Sequence, residues 1–304
     1  MSSLRAILTL SCLVLLTAGL ASPAGAEEYV KSYAVSGRAN VEVNSDNGSV
    51  HVVTSETTQV QFHVSYDLSA WGAHAPSIDS QQSGNRVQLS AHTDRSALFG
   101  FGNRLRLIIE VAMPKDADLR VETSNGGIDL SALNGNIVVH TSNGGVHASQ
   151  LSGTVEIDTS NGGIRADTLK GAVKVHTSNG AIGAEHLDCK CEFSTSNGGV
   201  HVAGRFDQLE VSSSNGGVTV RAESGSRMTS DWSLHTGNAA VFLALPADFQ
   251  ANLDATTSNG KIVLNLPAEV RGVVGGKQLR GALNGGGPSL SIHTTNGSIH
   301  LDPI

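Results

Sequence analysis

The chain has 304 residues, of which 35 are glycine and only 4% are aromatic, and its formal net charge at pH 7 is −7. A protein that binds nucleic acid normally presents a concentrated basic face, so this mildly acidic balance argues against a nucleic-acid partner. Val, Ile, Thr and Ser fill the segments between glycine-rich turns, and helical periodicity is almost absent. The composition therefore predicts an all-β fold built of short strands.

The first 26 residues have the pattern of an export signal. Arg5 precedes an apolar run at 6–20, and Ala24-Gly25-Ala26 forms a small-residue cleavage site. The apolar run is shorter than the roughly 20 residues that a membrane span needs, and no later segment approaches that length. We therefore expect residues 1–26 to be a signal peptide that is removed before Glu27. The mature chain is expected to be periplasmic or extracellular, with no transmembrane segment.

Residues 27–113 are predicted to form an irregular β region that caps the N-terminal end of the fold. Apolar and polar residues alternate over 29–66, where Asp46-Asn47-Gly48 looks like an outlying copy of the later repeats. Residues 67–84 lose this alternation and indicate an exposed loop.

A regular array at 114–222 returns to Thr-Ser-Asn-Gly, or a near copy of it, at a constant step of 18 residues. The asparagines of this column are Asn125, Asn143, Asn161, Asn179, Asn197 and Asn215. Apolar residues recur three and five positions after each asparagine, and polar residues alternate with them, as a strand with one buried face requires. A looser copy of the same module is predicted at 223–304.

Two architectures can use this 18-residue unit. A parallel β-helix, or β-solenoid, makes one coil per unit and stacks like residues on one another. An antiparallel meander of hairpins is the alternative, because Asn-Gly between alternating strands is a strong hairpin signal. The unbroken step favours the solenoid, since stacking in register penalises insertions.

On the solenoid prediction, the asparagine column becomes a structural ladder at one corner. Each amide can hydrogen-bond to its neighbour at the roughly 4.8 Å spacing between strands. The glycine after each asparagine is expected to adopt the positive φ that the corner demands. The tetrad is therefore interpreted as a structural device rather than a binding motif.

Cys189 and Cys191 are separated by a single residue. In a strand, such side chains point to the same face and lie too far apart along the backbone for easy bridging. We therefore expect two buried free thiols. A zinc tetrad would need a second cysteine pair, which this chain lacks.

The export signal, the Leu245-Pro246-Ala247-Asp248 lead-in and the serial Thr-Ser-Asn-Gly-Gly corners resemble a bacterial β-strand-repeat family of unknown function. Its members are often described as candidate adhesins. The resemblance covers nearly all of the chain after residue 26, and it implies a β-solenoid at or beyond the cell envelope.

Acidic and imidazole side chains share two outward columns, one three positions before each asparagine and one four positions after it, the second of which includes Asp129, His147, Arg165 and His201. His140, Asp158 and His176, with Glu122 or His147 nearby, could bind zinc or copper or perform acid–base chemistry. The favoured interpretation is that alternating charges stabilise a solvated face. The chain also lacks the aspartate column of calcium-binding β-rolls. We therefore predict no catalytic residue, no cofactor and no enzymatic activity.

The sequence thus predicts an exported, non-catalytic β-solenoid that acts as an adhesin-like binding or structural protein of the cell envelope. The expected partner is a polysaccharide or an envelope protein. Ligand contacts are first expected at Trp71 and at Phe99 with Phe101, although these aromatics could instead cap the solenoid. The alternatives are a polysaccharide-active enzyme or a metal-binding protein that uses the His/acid face. A further possibility is assembly through open sheet edges into oligomers.

Overall fold

The computed structural model describes residues 26–67, 75–93, 106–266 and 270–304. Within these ranges all regular secondary structure is β-strand, and 23 strands join in one continuous sheet. No helix in this part of the chain is long and apolar enough to cross a membrane. The all-β prediction is confirmed.

The strands fall into three groups along the chain. The N-terminal group is β1 (Ala26–Ala34), β2 (Ala39–Asn47), β3 (Ser49–Ser55), β4 (Gln59–Asp67), β5 (Ser77–Ser83), β6 (Arg86–His92) and β7 (Arg106–Pro114). The array is β8 (Ala117–Asn125), β9 (Ile128–Ser131), β10 (Asn134–Thr141), β11 (Val146–Thr159), β12 (Ile164–Thr177), β13 (Ile182–Thr195), β14 (Val200–Ser213) and β15 (Val218–Ala222). The C-terminal group is β16 (Trp232–Thr236), β17 (Val241–Leu245), β18 (Ala251–Thr257), β19 (Ile262–Leu264), β20 (Val270–Val274), β21 (Gln278–Leu283), β22 (Ser289–Thr294) and β23 (Ile299–Pro303).

Each coil contributes one strand segment to each of two faces. The leading face holds the segments that run into a corner asparagine, and the trailing face holds the segments that follow it. On the leading face Val139 pairs with Ile157, and on the trailing face Val146 pairs with Ile164, both in parallel register. The parallel β-solenoid with 18-residue coils is therefore confirmed, and the antiparallel meander is wrong. The corner turns the chain onto the other face, so each segment meets its own copy in the next coil rather than its neighbour in sequence.

The space between the two faces is filled by the predicted apolar columns. In the array, the side chains three and five positions after each asparagine are buried. The apolar side chains of the leading face, such as Val139 and Ile157, are buried as well. Trp232 is also buried, and its ring lies 6.0 Å from that of Phe206 and 5.1 Å from that of Phe249. Burying a large side chain of this kind contributes about 2 to 3 kcal/mol. Trp232 is thus a packing residue, as its place between the array and the C-terminal copies predicts.

The coils do not stack in the order of the chain. Val41 in β2 pairs with Val87 on one side and with Leu119 on the other, so the first coil lies between strands that follow it in sequence. At the other end, Leu290 in β22 pairs with both Trp232 and Leu253. The last segment of the chain is therefore inserted between two earlier ones.

Antiparallel strands complete both ends of the solenoid. At the N-terminal end, β4 pairs antiparallel with β1 and with β7, and β5 pairs antiparallel with β6. At the C-terminal end, β21 pairs antiparallel with β18 and with β20. The exposed loop predicted at 67–84 is wrong over Ser77–Ser83, which is strand β5. This strand pairs on one side only and is mostly exposed, so it needs no apolar alternation.

Cys189 and Cys191 form a disulfide bond within β13, so the expectation of free thiols is wrong. Their Cα atoms lie 5.5 Å apart, which is within the range that a disulfide spans, and both residues are buried. The expectation assumed a regular strand. The Cα separation is instead shorter than the roughly 6.6 Å that two residues span in an extended strand. Cys189 lies beside Gly171 at the second corner, where the chain is not fully extended.

In the array, the glycine that follows each of the six predicted asparagines does not have the expected positive φ, whereas Gly48, which follows Asn47, does, at 108°. The requirement is steric instead: a Cβ atom at Gly162 would lie 1.8 Å from the carbonyl oxygen of Gly144 in the neighbouring coil. Positive φ occurs at the other corner, for example at Gln150 (54°) and Gly153 (106°). Glycine at the asparagine corner therefore permits close approach of two backbones rather than an unusual dihedral angle.

Candidate functional site

The corner asparagines form a continuous hydrogen-bonded row along the solenoid. Asn161 Nδ2 donates to Asn143 Oδ1 at 2.8 Å and to the Ser142 carbonyl oxygen at 3.4 Å, and its own Oδ1 accepts from Asn179 at 2.7 Å. In spatial order the row comprises Asn47, Asn125, Asn143, Asn161, Asn179, Asn197, Asn215, Asn238, Asn296 and Asn259. The six asparagines selected from the sequence all lie within it.

Threonines two positions before the asparagines link neighbouring coils from the inside in the middle of the array. The buried Thr177 hydroxyl accepts from the Gly180 backbone N–H at 3.1 Å and donates to the Gly162 carbonyl oxygen at 2.9 Å. The same pair of bonds recurs at Thr159 and Thr195. These hydroxyls and amides are therefore used within the stack, which leaves ligand binding to the surfaces on either side.

The leading face carries the predicted His/acid row. His140 pairs with Glu122 on one side and with Asp158 on the other, and Asp158 pairs with His176. His176 Nδ1 lies 2.8 Å from Ser194 Oγ, and a shallow depression of about 730 Å³ covers part of this row. Within the described residues, no group of three or more His, Cys, Asp or Glu side chains could hold a metal ion. The row thus places its members on successive coils without gathering them around one point.

The trailing face carries a larger groove of about 970 Å³ beside the asparagine corner. We call it the glycine groove. Its floor is the column two positions after each asparagine, namely Gly127, Gly145, Gly163, Ala181, Gly199, Gly217 and Ala240. Its rim is the column four positions after each asparagine, namely Asp129, His147, Arg165, Gly183, His201, Thr219 and Phe242.

Packing against the next coil does not require glycine in the floor of the groove. A Cβ atom at Gly163 would lie 3.4 Å from the nearest backbone oxygen, and Ala181 and Ala240 occupy the same column. In the rim, a Cβ atom at Gly183 would meet nothing within 4 Å. The small residues therefore leave open a space that larger side chains could occupy.

The rim combines charged, imidazole and aromatic groups. Asp129 Oδ2 lies 2.9 Å from His51 Nδ1, which leaves this carboxylate engaged at one end of the groove. Arg165 forms no ion pair within the described ranges. At the other end Phe242 is 44% exposed, and its ring stacks on that of His300 with centroids 4.8 Å apart and planes 15° apart. The groove thus offers cationic and flat apolar surfaces along one line.

The Toastrack DUF4097 family model matches residues 38–302, which is most of the chain. The chain belongs to this family. The resemblance to a β-strand-repeat family of unknown function is therefore confirmed. No curated protein matches the chain.

Three solved structures similar to this Toastrack chain carry descriptions related to adhesion. A candidate adhesin from Parabacteroides distasonis has 12% identity and a TM-score of 0.47, and the match covers 90% of this chain and 97% of that one. A candidate adhesin from Bacteroides fragilis has 14% identity and a TM-score of 0.37, with 91% and 97% covered. A candidate cell adhesion protein from Clostridium sporogenes has 13% identity and a TM-score of 0.25, with 92% and 100% covered.

The sequence interpretation missed two parts of the groove in this Toastrack chain. Phe242 and His300 extend the rim, because Asn238 and Asn296 each lie four positions before one of them. The signal was available in Thr236-Gly237-Asn238-Ala239, a variant tetrad that occupies a corner in the ladder. The floor was missed because both glycines of Thr-Ser-Asn-Gly-Gly were assigned to the corner.

The aromatic contacts predicted at Trp71, Phe99 and Phe101 lie outside the described residues.

Proposed function

We propose that this chain is a non-catalytic binding module of the cell envelope that holds an extended ligand along the glycine groove. The observation that carries the proposal is the groove itself, which crosses seven coils from Gly127 to Ala240. At about 4.8 Å per coil, its floor is roughly 30 Å long. A stacked sheet is a rigid support for such a surface, and solenoids commonly bind extended partners in this way. A linear polysaccharide is the ligand that we favour.

The composition of the rim supports binding rather than catalysis. Glycoside hydrolysis needs two carboxyl groups that flank the scissile bond. Asp129 is the single acidic residue among those that line the groove, and it is paired with His51. The export pattern at 1–26 supports an envelope location, where a polysaccharide is available.

A groove-filling variant tests the proposal. Gly183→Phe places a ring in the open space without a clash against the core, because the added side chain begins where nothing lies within 4 Å. Binding of soluble polysaccharides would be measured by isothermal titration calorimetry, with product formation followed in the same samples. We expect binding without turnover by the natural chain, and at least a tenfold loss of affinity in Gly183→Phe.

Ser212→Phe provides the matched control, since Ser212 faces outward on the leading face, away from the groove. It should bind as the natural chain does. Equal affinity of all three proteins would place the ligand elsewhere and contradict the proposal, and turnover of a polysaccharide would favour the enzyme alternative.

A further inference from the structure

We infer that the glycine groove is selective for linear glycans that carry carboxylate groups, which are recognised by a cluster of His147, Arg165 and His201 around the gap at Gly183. This inference rests on the proposed function and names the ligand class of that same groove. It concerns the middle of the groove, where the rim side chains are basic.

The cluster is basic against an acidic background. The chain has a formal net charge of −7, yet the three rim side chains that flank Gly183, two on one side and one on the other, are cationic or imidazole. Arg165 carries a fixed positive charge, and each imidazole offers an N–H donor in either protonation state. The described residues include no ion-pair partner for Arg165, His147 or His201. These donors are therefore available to an anionic ligand.

Asp129 is the in-register neighbour of His147 and is engaged by His51, and the other acidic groups beside the cluster lie toward the second corner. Asp167 and Glu185 lie two positions beyond Arg165 and Gly183 on the same face. The Asp167 carboxylate is 2.6 Å from His186 Nδ1, and this hydrogen bond lowers the pKa of Asp167 and raises that of His186. Glu185 also acts on His186 by adding to the rise in its pKa. The local negative charge is thus partly balanced away from the groove.

The gap at Gly183 gives the cluster room for a carboxylate. Arg165 and His201 are on alternate coils, so their backbones are roughly 9.6 Å apart. No side chain stands between them. A carboxylate that enters this space can accept two parallel hydrogen bonds from the guanidinium group, which is the geometry that arginine favours.

The aromatic end of the groove indicates a sugar rather than a bare anion. Phe242 lies two coils beyond His201 in the same rim, and its exposed ring is held flat by His300. A flat aromatic surface can cover the apolar face of a sugar ring. A chain of sugars with carboxylate groups is the ligand that contacts both the cationic cluster and this ring.

The test compares two forms of one polymer. Polygalacturonate carries a carboxylate on each sugar, and its fully methyl-esterified form has the same backbone without the charge. By titration calorimetry with oligomers of each form, we expect the natural chain to bind the acidic form at least tenfold more tightly. This preference should shrink as salt is added, because salt screens exposed charges.

Two variants separate charge recognition from ring stacking. Arg165→Gln should reduce affinity for the acidic form to that for the ester, whereas Arg221→Gln, on the same face but outside the groove lining, should preserve the preference. Phe242→Ala should weaken both forms by the same factor. Circular dichroism melting curves of all variants should match that of the natural chain, since these side chains are exposed.

The outcomes distinguish this inference from the function on which it rests. Equal binding of both forms, blocked by Gly183→Phe, would overturn the carboxylate preference and leave the binding function intact. Failure of both forms, together with failure of every polysaccharide tested, would overturn both. Stronger binding to phosphatidylglycerol vesicles than to polygalacturonate, lost in Arg165→Gln, would assign the cluster to a lipid surface and overturn the glycan assignment.

Discussion

The asparagine corner and the glycine groove are adjacent and are formed by the two successive glycines of Thr-Ser-Asn-Gly-Gly. These two glycines have opposite roles. The first glycine, such as Gly162, faces a carbonyl oxygen of the next coil so closely that no Cβ atom fits. The second, such as Gly163, has ordinary van der Waals space around a Cβ atom. The comparison teaches that the fold requires the first glycine, whereas alanine also fits at the second, as at Ala181. Small residues in that second column leave the groove open.

The largest expected effect separates these two glycines directly. Gly162→Ala should lower the free energy of unfolding by about 3 kcal/mol, because the backbone of Gly144 must move to admit the methyl group. Gly163→Ala should cost less than about 1 kcal/mol, because alanine already occupies that column at Ala181. Urea unfolding measures both values. Equal costs would remove the distinction between corner and groove.

The inner side of the corner is expected to give the next largest effect. Thr177→Val keeps the shape of the side chain but leaves the Gly180 N–H and the Gly162 carbonyl oxygen without their side-chain partner. A buried polar group left in this way costs about 2 kcal/mol. Thr177→Ser retains the hydroxyl and serves as the control. If valine were as stable as serine in urea unfolding, the hydroxyl would not hold the coils together.

The outer side of the corner should contribute less, because water can replace the lost hydrogen bonds. Asn161→Ala in the middle of the ladder should lower the free energy of unfolding by about 1 kcal/mol, since it removes bonds to both neighbours. Asn259→Ala at the end of the ladder removes the single bond to Asn296 and should cost less. Thermal unfolding of the two variants compares them, and a costlier terminal substitution would argue against a cooperative ladder.

The smallest expected effect is a pH dependence on the leading face. His235 stacks on His293 with ring centroids 5.3 Å apart; loss of hydration lowers the pKa of His235, and the charge of His293 lowers it further. The unfolded chain therefore binds a proton at this residue more readily than the folded chain. Stability should fall as the pH drops below about 6.5, the ordinary value for histidine.

The comparison for this effect is His235→Gln, which cannot take up a proton. Urea unfolding at pH 7.5 and pH 5.5 should show a smaller acid-induced loss of stability in the variant than in the natural chain. An identical loss in both would mean that the stacked pair does not contribute to the pH dependence.

Much of the repeated structure could be predicted from spacing alone. The 18-residue step placed Val146, Ile164 and Ile182 in one buried column, and the structure stacks them in that register. The rim residues His147 and Arg165 were also placed in one outward column. Local alternation decides which side of a strand is buried, so these features needed no knowledge of distant segments.

The features that could not be predicted depend on contacts between segments far apart in sequence. The strand β5 was missed because it is an edge strand whose more buried face carries one apolar side chain, Ile78, which leaves no apolar alternation. The disulfide between Cys189 and Cys191 was missed because an extended strand was assumed at the second corner, where their Cα atoms lie only 5.5 Å apart. Phe242 was missed as a rim residue because its coil follows an interruption of the 18-residue step.

The sequence by itself determined the all-β class, the parallel stacking and the division of each strand into inner and outer residues, because periodicity acts through local geometry. Only the tertiary structure decided the order of the coils and the different roles of Gly162 and Gly163. Those depend on how closely one coil approaches the next, and a carbonyl oxygen from a neighbouring coil decides whether a single methyl group fits. The glycine groove exists because the neighbouring coil closes the corner tightly and leaves the adjacent column open.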